Sequence, residues 1–288
     1  MLHQLRREPS QFGVSAARWT LADFREQCAW LDIKTDASLW MIFERLGIHY
    51  KRGRDYVHSP DPQYEAKRAV VERLKREVQT SQGLAALLFL DEITYYRQPS
   101  LACAYEEAGE ALPKAVRSLR SNTQTRLVGT LDAHTGCVLC AQGSTIGVEQ
   151  LVAFYRQVVA AYPDAQRLWI VQDTWPVHFH PDLLVALEPQ HSPFPFPQAP
   201  CWPTEPHPRA RQRWGHLHLP IQIVVLPTYA SWCNPIEKLW RKLRQDLLHL
   251  HRLADDLPAL RAQVLAYLQQ FTAGSFDLLH YVGLHIPS

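Results

Sequence analysis

The chain has 288 residues, enough to bury a full hydrophobic core in one large domain or two smaller ones. A formal charge of +2 and a pI near 8.2 are too mild to assign a nucleic-acid partner, so an electrostatic argument has to rest on where the basic residues cluster. The opening MLHQLRREPS has no apolar signal region, and the longest apolar run, GLAALLFL at 83–90, is far below the roughly 20 residues of a membrane span, which points to a cytoplasmic protein without a membrane partner.

Between Thr20 and Leu46 two helical patterns follow each other. Leu21, Phe24, Cys28 and Leu31 keep helical spacing, as do Leu39, Phe43 and Leu46. Thr20 with Asp23 reads as a capping box, Asp36 can cap the second helix, and Gly47 supplies a C-terminal stop. This is a helix-turn-helix pattern. The following YKRGRDYVHSPDP reads either as a basic wing with Lys51, Arg52 and Arg54 on DNA or as the solvated edge of a helical hairpin. YEAKRAVVERLKREV reads as a helix leading out, so residues 1–80 are expected to form a small winged-helix-like segment with a linker helix.

From residue 84 the pattern changes. LAALLFLDE reads as a buried strand ending near Asp91, LACAYEEAG as a second strand, and RLVGTLDAHTGCVLCAQG as two strands joined at Thr135 and Gly136. VEQLVAFYRQVVAAY has helical spacing, and RLWIVQD and IQIVVLP are further apolar strands. Hairpins first and strands separated by helices later predict an α/β domain over 81–288, a mixed sheet with helices on its faces. Residues 189–208 hold eight prolines and are expected to open a surface insertion reaching about residue 220. The one CxxC, Cys137 to Cys140, lies in a strand-like run where residues three apart face opposite ways, which does not suit zinc.

Two apolar strands end in aspartate, LLFLD at Asp91 and LWIVQD at Asp173. Side by side and parallel, they would bring both acids to the sheet edge where open α/β sheets carry their sites. IQIVVLP leads out at the same edge into a helix beginning Asn234, Pro235, Ile236, Glu237. Three converging carboxylates repel one another, and a divalent cation with oxygen ligands, magnesium or manganese, is a natural counter-charge. The alternative for Glu237 is a capping box with Asn234 at the N-cap. His178, five residues after Asp173, is a candidate for orienting substrate or water, or else an ordinary surface residue. Trp232 and Trp240 are expected to pack the last helix on the sheet.

Two basic runs are candidate phosphate contacts: Lys238, Arg241, Lys242 and Arg244 outside an Ile236, Leu239, Leu243, Leu247 stripe, and Lys114, Arg117, Arg120 and Arg126 in a stretch without acids. A solvated face, with Glu237 paired to Arg241, is an equal reading of the first, and the second run is the better phosphate candidate.

The order Asp91 in FLDE, Asp173 in VQDTWPVH and Glu237 in LPTYASWCNPIEKLW resembles the DDE transposases of the mariner type, in their bacterial insertion-sequence 630 branch. Leu226, Pro227, Asn234, Pro235, Glu237 and Trp240 match the last and most specific motif, and Thr174 stands where relatives commonly carry asparagine. The resemblance implies a ribonuclease-H-like core in which Asp91, Asp173 and Glu237 hold two magnesium or manganese ions. It also implies double-stranded DNA, both transposon ends and target, as substrate, a homodimer in the DNA complex, and cutting followed by joining. Less DNA-binding sequence lies upstream than such a family member carries, which leaves a truncated or partner-dependent copy open as an alternative. A catalytically silent DNA-binding derivative and another metal-dependent nuclease are the competing classes.

Overall fold

A computed structural model describes residues 2–50, 58–107, 111–187 and 189–284. The chain divides into two compact units, Met1–Val57 and His58–Ser288.

The first unit holds α1 (Leu2–Leu5), α2 (Leu21–Gln27) and α3 (Asp36–Arg45). Thr20 caps α2 as its sequence suggests: its hydroxyl accepts from the Asp23 N–H at 3.1 Å and donates to the Asp23 carboxylate at 2.6 Å. The cap of α3 is Thr35, not Asp36. Thr35 has the extended backbone a cap needs, and its hydroxyl accepts from the Ser38 N–H at 3.1 Å. Asp36, already helical, pairs with Arg25 at 2.8 Å instead. Gly47 stops α3 in the left-handed region, with φ of 66°. Phe24, Cys28, Leu39 and Phe43 form the core, the Phe24 ring lying 5.5 Å from Trp19 and 5.6 Å from Phe43. Lys51, Arg52 and Arg54 lie outside the described residues.

The second unit begins with α4 (Tyr64–Thr80), β1 (Ala85–Tyr96), β2 (Gln124–Asp132), β3 (Val138–Gly143), α5 (Val148–Ala161) and β4 (Arg167–Gln172). It continues through α6 (Pro181–Leu184), α7 (Pro208–Trp214), β5 (Ile221–Val225), α8 (Ile236–Leu243), α9 (Leu257–Gln269) and α10 (Phe276–Val282). The sheet runs β3-β2-β1-β4-β5, with β1, β4 and β5 parallel and β2 and β3 antiparallel. This is the mixed sheet foreseen from the order of elements, and it agrees with the ribonuclease-H-like core that the resemblance implies.

Two expected boundaries shift. β1 continues past Asp91 to Tyr96 because its outer half pairs with β2, Asp91 lying opposite Gly129. Residues 101–107 form no strand: Leu101 and Tyr105 have their side chains in solvent, so the burial that would draw this run into a sheet is missing. Among the described residues, no helix is long and apolar enough to cross a membrane.

Side chains alternate across β1 and β4 and split the core in two. Leu87, Phe89, Ile93, Trp169 and Val171 pack with α4, α8, α9 and α10 on one face, while Ala86, Leu88, Leu90, Leu168 and Ile170 pack with α5 on the other. The proline-rich insertion covers the outer edge of β5. The Gln190 side-chain amide donates to the Ile221 carbonyl and accepts from the Ile223 N–H, both at 2.8 Å, satisfying backbone groups an edge strand otherwise exposes.

Gly129 faces the indole of Trp240, and a Cβ there would stand 2.7 Å from the ring. Trp240 is only 2 % exposed and cannot swing away, so Gly129→Ala should push α8 off the sheet and cost about 1–3 kcal/mol, read as a lowered unfolding midpoint in urea.

Candidate functional site

Parallel pairing sets the level of the two aspartates. Phe89 is in register with Val171, and two residues further on, at the mouth of the sheet, stand Asp91 and Asp173. By alternation both extend the row facing α8, the helix that carries Glu237. α8 is fastened at that point by two side chains. The Trp240 Nε1–H donates to Asp91 Oδ2 at 3.0 Å, and Asn234 Nδ2 donates to the Leu90 carbonyl at 3.0 Å. Asn234 therefore ties the helix start to β1 beside Asp91 rather than capping α8, which has no side-chain cap. The Asn234 Oδ1 is buried without a hydrogen-bond partner.

Glu92, one residue beyond Asp91, points to the opposite face. There it meets His178, which is fully buried, with Glu92 Oε1 2.9 Å from His178 Nε2. The other ring nitrogen lies 3.4 Å from Asp173 Oδ1 without forming a satisfied hydrogen bond. His178 thus bridges from the residue after Asp91 to Asp173, and is no surface histidine. Glu92 is a site residue that the sequence reading does not name: its partner His178 stands 86 positions away, and the one local signal is a second acid directly after Asp91.

The electrostatics are those of crowded acids. Burial first, then the charges of Glu237, Glu92 and Asp173, pushes the Asp91 carboxyl up to about 8. Glu237 is also raised, by burial and by Asp173, against the opposing pull of Arg244 and Arg241. Burial alone would raise Asp173 as well, but His178 and the Trp175 N–H, which donates to Asp173 Oδ1 at 2.9 Å, hold it below the usual carboxylate range. Burial would lower His178, and the Glu92 and Asp173 carboxylates overcome it and push the imidazole up to about 9. The three acids act on each other through charge, yet among the described residues no three His, Cys, Asp or Glu side chains form a ready-made metal cage.

The basic candidates differ in what they touch. Lys114, Arg117 and Arg120 are exposed on a segment without helix or strand, anchored through Ser118, whose hydroxyl donates to Asp255 at 2.5 Å. Lys238 donates to the Val282 carbonyl at 2.8 Å, and Lys242 pairs with Asp246 at 2.7 Å, whereas Arg241 is exposed one turn after Glu237. Trp240 packs as expected. Trp232 does not pack on the sheet: it is half exposed, and its Nε1–H donates to Tyr64 on α4 at 3.0 Å.

In chelator, the raised Asp91 implies a pH-dependent liability. The unfolded carboxyl loses its proton near 4 and the folded one near 8, so stability should fall as pH rises through that window. Asp91→Asn keeps the acceptor for Trp240 and removes the charge, so thermal unfolding should show the variant to be more stable than wild type at pH 8, the difference vanishing toward pH 4.

The description that matches residues 86–261 is the DDE superfamily endonuclease family. The insertion element IS630 uncharacterized 39 kDa protein of Shigella sonnei is 19% identical over 252 residues, 86% of this chain and 63% of that protein. The chain thus spans less than two thirds of that relative's length. Among solved structures, the Mos1 mariner paired end complex with Mn aligns over 97% of this chain and 75% of the Mos1 chain, with TM-score 0.59 and 15% identity. The Mos1 strand transfer complex aligns over 97% of this chain and 74% of its own, with TM-score 0.54 and 16% identity. The matched region takes in more than half of the chain and leads to one conclusion: the chain belongs to the DDE superfamily endonuclease family.

Proposed function

We propose that this chain is a DNA transposase that cuts the ends of an insertion sequence and joins them to target DNA, with Asp91, Asp173 and Glu237 holding two magnesium or manganese ions. The observation that supports this reading is the Asp91 carboxyl, half-buried in the middle strand of the sheet and opposed by three neighbouring acids. A fold does not place such a group at a sheet mouth for stability, and hard divalent cations suit an all-oxygen donor set. The unpartnered Asn234 Oδ1 adds a further oxygen acceptor at the same helix start.

Such ions supply Lewis acidity to the attacking and leaving oxygens of an in-line displacement at phosphorus. The protein's own part is positional. Trp240 fixes one oxygen of Asp91, Asn234 fixes the approach of the helix bearing Glu237, and His178, held by Glu92, limits the freedom of Asp173. Lys114, Arg117, Arg120 and Arg241 are the phosphate contacts of the catalytic region over 81–288. The helical unit Met1–Val57, with Lys51, Arg52 and Arg54, reads the transposon ends, while α4 belongs to the catalytic unit. Two copies assemble on two ends, since joining requires both.

Supercoiled donor DNA carrying candidate ends, incubated with Mg2+ or Mn2+, tests the reading. End-specific nicks should appear, and Asp91→Asn, Asp173→Asn or Glu237→Gln should each reduce them by at least about 100-fold with DNA binding retained. Salt-sensitive binding without cleavage would favour a catalytically silent derivative, and cleavage without end preference a general nuclease.

A further inference from the structure

Glu237 owes its place to the loop 226–235, which leaves β5, passes through Tyr229 in the left-handed region at φ 55°, and enters α8. Such a loop needs external support. It receives some from the sheet, through the Leu226 N–H on the Gln172 carbonyl and Asn234 on the Leu90 carbonyl. Its outer side is held by a segment some 160 residues earlier in the chain, Ser59–Lys67.

Both backbone groups of Thr228 are taken by that segment. The Thr228 N–H donates to Asp61 Oδ2 at 2.9 Å, and the Ser59 hydroxyl donates to the Thr228 carbonyl. Asp61 also accepts from Lys67 Nζ at 2.7 Å and from the Gln63 N–H at 2.9 Å. The ion pair is buried, with side chains 4 % and 8 % exposed, and its bonds hold the Asp61 carboxyl down to about 2. Burial opposes that shift, so the carboxylate is retained for its bonds. A turn further along, the Tyr64 hydroxyl receives the Trp232 Nε1–H at 3.0 Å and lies 3.6 Å from Cys233 Sγ. The loop is thus gripped at its start and at its end, on either side of the strained Tyr229. Lys67 also faces the Phe194 ring at 5.7 Å, so the proline-rich insertion meets the same point.

We infer that Ser59, Asp61, Tyr64 and Lys67 form a clasp that positions Glu237, making residues outside the 86–261 region part of the machinery of the active centre. Asp61 and Tyr64 are positioning residues: they touch the loop and act through it. The inference rests on the assignment of Glu237 as a metal-binding acid, but its structural half can be tested without that assignment.

The experiment compares the full-length chain with Asp61→Asn and with Tyr64→Phe, which deletes only a hydroxyl. Asn has one acceptor oxygen and no charge, so its NH2 must face either the Gln63 N–H or the Lys67 and Thr228 donors and the ion pair with Lys67 is lost; hydrogen exchange followed by mass spectrometry should speed up about tenfold across 226–237 while β1 and β4 stay protected. The Mn2+ concentration for half-maximal DNA nicking should rise about tenfold with KM for DNA unchanged, and Asp61→Glu should recover part of the loss. Unchanged exchange in 226–237 in both variants overturns the clasp, as does a rise spread evenly over the sheet, which would mark general destabilisation. A looser loop with an unaltered Mn2+ requirement overturns its role in positioning Glu237. If wild type does not nick DNA yet Asp61→Asn frees the loop, the clasp stands and the transposase reading is what fails.

Discussion

Like charges gathered at the end of a sheet repel, and at β1 the fold gathers them around a carboxyl that is itself half-buried. Asp91 is the centre of this conflict: a carboxyl in the middle strand, with Glu92 beside it, Asp173 at the same level of β4, and Glu237 brought over by α8. Everything else in the second unit keeps that arrangement from relaxing. Parallel pairing fixes the level of Asp91 and Asp173, apolar packing of Ile236, Leu239, Trp240 and Leu243 fixes the helix, and Asn234 joins helix to strand. Strain of this kind is the usual sign of a site kept for its chemistry at a cost in stability.

The division of labour between the sheet faces follows from the period of a strand. Asp91 and Glu92 are neighbours in sequence and look in opposite directions, one toward Trp240 and one toward His178. The two acids therefore do different things: Asp91 meets its fellow carboxylates, and Glu92 offsets the cost of burying a histidine that in turn restrains Asp173. Burying His178 completely is tolerable only because carboxylates flank both ring nitrogens.

Much of this was legible in the sequence. The strand runs come from apolar patterning, a local signal that core packing obeys, whereas the meeting of the acids followed only on the condition that β1 and β4 lie side by side and parallel, as they do. The errors share a different cause. Asn234 carries a perfect capping pattern, yet its amide reaches a carbonyl 144 positions away, and no local pattern reveals a distant partner. The same holds for Trp232 and Tyr64, 168 positions apart, and for Asp61 and Thr228. LACAYEEAG has strand-like composition, but among the described residues 101–107 pair with no strand. Long-range polar bonds decide the details of the site, and these are set by tertiary structure.

The central claim is that Asp91, Asp173 and Glu237 share divalent cations. Crystals of the full chain soaked in Mn2+ and measured at the manganese edge test it most directly. The account predicts anomalous density between these three carboxylates, lost in Asp91→Asn. Density confined to other side chains, or persisting unchanged in that variant, would contradict it.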